Sequence, residues 1–509
     1  MVRCSWAHDT EDGVARGGFP ATPRVGDNAR MIDRPSGGPR FARLSDEACA
    51  RIHEASLAIL ERTGARLESP AAVDLLRHAG ARVDGDDHVR IPRELVEWAL
   101  SVVPHEVTLW DQRGARPLHL AGNVAYFGPG SDCLHVVDHR TGERRAAALR
   151  DVEEGVALCD ALPNIDFVMS MFLPSDVDNR IADRYQAEVM LTRTAKPLVI
   201  VTYELDGLVD VLEMAEAAAG GADALREKPF LACYVNVTRG LLQNAESLDK
   251  LLLLADRGLP ALWIPVTSGA TTGPVTIAGN LALNNAGVLI GIVLSQLRRE
   301  GAPIIVPGFG GDALDLRTTV DPYAEPDHRG TVPALAHWYG LPMFSLAGAS
   351  DAKLPDQQAA AEAALTIMVD ALSGGHLVHD SGYLESGLTG SLAQLVICDE
   401  IIAWARRVLD PVPVDDETLA LDLVDEVGID GSFLESDHTL DHYRERWYPD
   451  LFERYNFEGW KGRGGLTLAE RAAARADQLL AAHRPPEIDP VAARAIRAVV
   501  ERVAAAAGL

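Results

Sequence analysis

Pro303-Ile304-Ile305-Val306-Pro307-Gly308-Phe309-Gly310-Gly311-Asp312 is a short apolar run that breaks into a glycine-rich loop ending on a carboxylate. β-Branched residues between two prolines read as a buried strand, because proline stops a preceding helix and removes a backbone donor. On either side lie helical patterns, Val275–Arg299 and Gly330–Tyr339. Working outward, the same strand-then-helix unit recurs. Further strands are predicted at Val124–Phe127, Asp166–Phe172, Leu198–Tyr203, Phe230–Val235, Ala261–Val266, Pro342–Leu346 and His376–Asp380. Helices are predicted at Asp151–Ala161, Arg180–Thr194, Gly207–Ala219, Ala245–Arg257, Asp356–Leu372 and Leu392–Leu409. Alternation of this kind implies a parallel sheet with crossover helices, and eight repeats imply closure into an α/β (β/α)8 TIM barrel. An open doubly wound sheet is the alternative on pattern alone.

The flanks differ in composition. Residues 1–40, rich in Gly, Pro, Arg and Asp without apolar period, are expected to form a disordered tail. A helical extension is expected over 41–120, with a helix from Leu44 capped by Ser45 and others over Pro70–His78 and Pro92–Val102. The barrel would then occupy 121–410. A helical tail, 411–509, would follow the Pro411–Pro413 linker, with Leu466–Ala482 and Pro490–Ala507 as surface helices or an oligomer contact.

The net charge of −27 leaves no basic surface for phosphate, so nucleic acid is excluded as a partner. The longest apolar run, Ala286 to Leu294, is too short to span a bilayer, and no secretory layout opens the chain, so a cytoplasmic protein away from membranes is expected. Six scattered cysteines give neither a disulfide framework nor a local zinc spacing. No metal site is expected.

In such a barrel the loops after the strand ends build the site. They carry Gly128–Asp132, Phe172, Tyr203-Glu204, Asn236, Gly308-Phe309-Gly310-Gly311, Ser350-Asp351 and His376–Tyr383. Gly308, Gly310 and Gly311 allow close backbone approach to a ligand or cofactor, but the dinucleotide fingerprint is missing. His376 and His379 fall on opposite faces of one strand, so one of them points inward while His376 and Asp380 share a face. Asp351 either pairs with Lys353 or faces the pocket.

Three stretches carry a resemblance. They are Gly269-Ala270-Thr271-Thr272-Gly273-Pro274-Val275-Thr276-Ile277-Ala278-Gly279, then Ser350-Asp351-Ala352-Lys353 with Asp356 and Gln358, and the tail His442-Tyr443 with Trp447-Tyr448-Pro449, Trp460 and Leu468–Ala472. Together the chain resembles the trimethylamine methyltransferase family, including its glycine-betaine branch; it carries no pyrrolysine. The resemblance implies a TIM barrel docking a separate corrinoid protein, whose cobamide accepts a methyl group at cobalt(I). It implies a small quaternary amine as donor. A quaternary nitrogen already leaves as a neutral amine, so the site must grip, orient and dehydrate a cation rather than protonate it.

On that reading Phe172, Tyr203, Phe309 and Tyr383 wall the cation. Asp351 or Glu204 balances its charge, and His376, His379 or Asn236 holds a substrate carboxylate. Asp351, His376 and His379 are the catalytic candidates, Asp380 joins the substrate set, and Ser350 joins the glycines toward the cofactor. Methyl transfer to a folate or thiol, and a non-catalytic betaine-binding protein, are the competing readings. A homo-oligomer is expected.

Overall fold

The computed structural model describes residues 39–310 and 312–509. The tail expected over 1–40 therefore lies almost wholly outside the described residues, as does Gly311.

Seven parallel strands form one sheet, in the order Tyr126–Phe127, Leu377–His379, Met343–Leu346, Ile304–Pro307, Ala261–Ile264, Leu231–Asn236 and Leu198–Val201. Its two edges are joined by residues 166–171. Asp166 N–H donates to Phe127 O at 2.6 Å and Met171 N–H to Gly130 O at 2.9 Å. On the other side Val168 pairs in parallel with Leu198. The sheet is thus closed by an eighth strand, and all eight predicted strands have their counterpart in the ring. Among the described residues the ring itself is left with no open strand edge, the usual advantage of closure.

The eight crossover helices are also found, with ends shifted by a residue or two. Those spanning Ala245–Arg257 and Gln357–Ser373 stop at Gly258 and Gly374, whose φ of 68° and 66° suits a residue without Cβ. The helix Ile277–Arg298 is apolar nearly all round because it is wedged against the barrel. At Gly291 a Cβ would stand 2.2 Å from Trp263 Nε1, so glycine permits the contact. Trp263 donates to Gly287 O at 3.0 Å across the same seam. That helix is long and apolar enough to cross a membrane, longer than the run read from sequence, and it is mostly buried within the fold.

The extension before the barrel departs from expectation. Its three helices are present at Asp46–Arg62, Pro70–His78 and Arg93–Val102. It also contains strands Ala65–Leu67, Arg82–Asp84 and His88–Arg90, and a hairpin pairing Val107–Trp110 with Pro117–Leu120. Three or four residues are too few for a visible alternation, which is why these strands escaped the periodicity reading. The hairpin lies at the barrel's floor: Trp110 N–H donates to Pro229 O and Gln112 N–H to Ala195 O, both at 2.8 Å and both just before a barrel strand. At the other end of the chain, Leu468–Ala482 packs on Leu392–Leu409, and Pro490–Ala506 on Leu205–Ala219. Cys49, Cys133, Cys159, Cys233 and Cys398 are free and buried.

Candidate functional site: an acidic, aromatic cup at the barrel mouth

Alternate residues of the strands fill the barrel. Phe167, Val199, Ala232, Leu262, Ile305 and Leu377 join Val107, Leu109, Leu118 and Leu120 of the hairpin in one dry cluster, so the floor is plugged. Above it Val201, Tyr234, Val266 and Phe309 are only partly buried. They form the base of a cup open at the strand C-termini. By the same period of two, Asn236 follows Ala232 and Tyr234 onto the inner face, where it is exposed.

His379 is the histidine that turns inward. Its ring stacks on Phe344 at 4.0 Å and lies 5.3 Å from Phe309. Nδ1 meets Ser345 O at 2.5 Å, and because a carbonyl only accepts, Nδ1 carries the hydrogen. Burial pushes the pKa of His379 down to about 3, so the ring is neutral and Nε2 bears a lone pair. That nitrogen stands 3.6 Å from Asp380 Oδ1. Simple alternation would send Asp380 outward; its φ of 76° turns the chain there and brings the carboxyl beside His379. His376 has no such role. Its Nδ1 accepts from Met343 N–H at 3.0 Å and its Nε2 donates to Gly122 O at 2.9 Å, so both nitrogens are consumed near the strand's start.

Asp380 is buried, and burial raises its pKa to about 8 against the opposing pull of Arg329. A second carboxyl, the half-buried Asp132, follows the end of the first strand with φ 66°. Its pKa is also raised, by burial first, with Gln186, Ser131 and Tyr203 working the other way. Gln186 Nε2 donates to Asp132 Oδ1 at 3.2 Å, to Ser170 Oγ at 3.1 Å and to Phe172 O at 2.7 Å. Tyr203 reaches Gln186 Oε1 at 3.5 Å. The hydroxyls of Tyr234 and Tyr323 are both shifted upward, by burial first and then by the charge of Asp380. With Met171 at φ 62°, three non-glycine residues at neighbouring strand ends adopt left-handed backbone, a concentration of strain typical of functional sites. Among the described residues no arginine or lysine nitrogen lies within ion-pair distance of either carboxylate.

The other expected site residues are dispersed. Asp351 clasps loops together, accepting Tyr323 N–H at 2.9 Å, Ala324 N–H at 3.3 Å and the Ser386 hydroxyl at 2.8 Å. Lys353 reaches only Asp351's carbonyl, at 2.6 Å, not its carboxylate. Ser350 is buried and donates to Glu362 at 2.6 Å. Phe172 is sealed against Gly155 and Gly390. Glu204 is exposed at the start of the helix Leu205–Ala219. Tyr383 donates to Ser131 O behind the cup. Gly308 packs on Ser345 and Met343, while Gly310, at φ 116°, passes close to Asn284 and Val266. The structure therefore brings together Tyr203, Asn236, Phe309, His379 and Asp380 with Asp132 of the Gly128–Asp132 loop, and adds Gln186, Tyr234 and Tyr323. Tyr234 was readable, two residues before Asn236 in a predicted strand. Tyr323 left no signal, because it arrives on a loop.

Gly130 leaves the room that the Asp380 carboxyl occupies. A Cβ there would lie 2.0 Å from Asp380 Oδ1 and 2.5 Å from the Tyr383 hydroxyl. Gly130→Ala is expected to displace Asp380, costing about 1–3 kcal/mol of stability and lowering turnover at least tenfold. Urea unfolding and methyl-transfer assays on the purified variant check it; unchanged turnover would show that Asp380 tolerates displacement.

Comparison with known proteins adds an independent line. The family model described as trimethylamine methyltransferase (MTTB) matches residues 15–508. The trimethylamine methyltransferase MttB of Desulfitobacterium hafniense is 32% identical over 465 residues, covering 91% of this chain and 94% of that protein. A glycine betaine methyltransferase from the same species is 30% identical over 458 residues, covering 89% and 95%. Among solved structures, the monomethylamine methyltransferase MtmB of Methanosarcina barkeri aligns with a TM-score of 0.47 at 12% identity, over 87% of this chain and 88% of that one. A family model spanning almost every residue, and relatives aligned nearly end to end, leave one conclusion: the chain is a methyltransferase belonging to the trimethylamine methyltransferase family.

Proposed function

We propose that this protein takes a methyl group from a small quaternary amine of the glycine-betaine class and delivers it to cobalt(I) of a corrinoid held by a separate protein. One observation carries the reading of the donor: two carboxyls, Asp380 buried and Asp132 half-buried, share an aromatic cup in which, among the described residues, no arginine or lysine pairs with either. Uncompensated buried carboxylates are costly, so they hold protons until a ligand supplies positive charge. An onium ion fits that need. Tyr203, Tyr234 and Phe309 offer ring faces at about 0.5–2 kcal/mol each for a desolvated cation. Asn236, at the open edge, is placed to donate to a substrate carboxylate.

The chemistry asks little of acid–base groups. The N–CH3 bond breaks, its electron pair stays on nitrogen, and a neutral tertiary amine departs. Neutral His379 and the aromatic base exclude water and fix the direction in which the methyl faces. The partner's cobalt would supply the nucleophile. Exposed apolar residues on the loops around the mouth support docking of such a partner: Leu134, Val275, Leu316, Val320, Leu354 and Leu388. His135 N–H donates to Leu388 O at 3.1 Å, linking two of those loops into one rim.

Cob(I)alamin mixed with the protein and a panel of glycine betaine, carnitine, choline and trimethylamine tests the reading by its absorption spectrum. Methylcobalamin is expected with a quaternary amine and not with trimethylamine. Calorimetric binding of a quaternary amine without any conversion would instead favour a binding protein, and conversion confined to a folate or thiol acceptor would remove the corrinoid.

A further inference from the structure

Between the last barrel helix and the tail helices the chain makes an excursion, residues 411–450, in which no residue is buried. It has defined local structure. Helices run over Asp416–Leu419, Leu421–Val427 and Asp437–His442, and Ser436 caps the last by accepting Thr439 N–H at 3.1 Å. Its return is anchored on the barrel: Trp447 stacks on Trp404 at 6.0 Å, and Arg407 donates to Glu445 O at 2.9 Å. What it lacks is a core. Val412 (82%), Val414, Leu421, Ile429, Leu434 (79%) and Leu440 all stand at least two-thirds exposed. Their combined apolar area is on the order of 800 Å², about what one partner contributes to a standard protein interface.

We infer that residues 411–450 are an arm through which two copies of this chain associate, each arm lying over the barrel floor of the other. Position selects the partner. Helices of a (β/α)8 barrel return to the floor, so the arm departs there after Leu409, on the face opposite the mouth where a methyl acceptor must enter. Charge selects the surface. The arm holds twelve acidic residues and two arginines. The floor hairpin presents exposed Arg113 and Arg116, neither of which forms an ion pair among the described residues, beside Lys228, whose Nζ sits 4.6 Å above the Trp110 ring. Arm and hairpin share one face, so a two-fold axis would satisfy both contacts at once.

Sedimentation velocity of the full chain at micromolar concentration tests this, with oligomers expected at twice the 54.7 kDa chain mass or a multiple of it. Ile429→Asp with Leu434→Asp should give monomers whose far-ultraviolet circular dichroism and quaternary-amine binding match the parent. Arg113→Glu with Arg116→Glu, on the opposing surface, should weaken association at least tenfold, and so should 0.5 M salt. The second pair keeps the test decisive if the first misfolds. A monomeric parent, or oligomers indifferent to both pairs, overturns the inference. Arm variants that stay oligomeric yet lose response to a corrinoid protein would also overturn it, by assigning the arm to that partner.

Discussion

Asp380→Asn is expected to lower methyl transfer from a quaternary amine by about 10²–10³-fold, the range found when one preorganised electrostatic group is removed from a dry site. The carboxyl is buried beside a neutral histidine, and its pKa is pushed up to about 8 by that burial. Below pH 8 it binds a proton in the free protein, and a cation must displace it. Affinity for the cation should therefore rise up to tenfold per pH unit and level off above about 8. In Asp380→Asn this dependence should vanish. Stability runs the opposite way. A folded pKa above the unfolded value of about 3.9 means stability is fully present below pH 4 and is lost as pH rises through 8. The asparagine variant, free of that penalty, should melt higher than the parent at pH 9 while transferring less. Melting curves and initial rates across pH 6–9 check both halves. A variant that melts lower and keeps its rate would show a structural acid instead of a cation partner.

Arg329→Met should cost about 3–5 kcal/mol, the penalty for stripping one member from a buried ion pair. The guanidinium is buried, lies 3.3 Å from Asp370 and donates to the carbonyls of Leu346 and Tyr323. Asp370 sits at about 6, raised by burial and held down in part by Arg329. Without the arginine, Asp370 keeps its burial and loses its partner, and the loop carrying Tyr323 loses its tie to the seventh strand. Arg329 is also what restrains the upward shift of Asp380. The pH profile for cation binding should accordingly move to higher pH. Urea unfolding monitored by tryptophan fluorescence measures the first effect and a binding titration over pH the second. A stability change below 0.5 kcal/mol would mean that water replaces the guanidinium and that the pair contributes little.

Part of this architecture and site is legible in the sequence. The apolar runs bounded by Pro197, Pro260, Pro303 and Pro342 could only be buried parallel strands, and eight of them with helices between could bury both faces by closing. Strand ends supplied Tyr203, Asn236, Phe309 and Asp380 because that end of a barrel is where side chains leave the core. Asp351 was misleading, since its motif is just as well explained by three hydrogen bonds joining loops. The plug hairpin was invisible because it is stabilised by the barrel it closes, not by its own pattern.

Local preference, hydrophobic period and helix-ending glycines thus determined which segments are the barrel's strands and helices, and eight repeats favoured a closed ring over an open sheet. Tertiary structure alone decided which histidine faces the cup, because the pairing of Leu377–His379 in the ring fixes which side of that strand is inside, and the left-handed turn at Asp380 then brings its carboxyl round beside His379. It alone brought Asp132, Tyr234 and Tyr323, about 100 and 90 residues apart in sequence, around one carboxyl. Such proximity follows from ring closure and loop packing, which depend on contacts between residues that sequence order keeps apart.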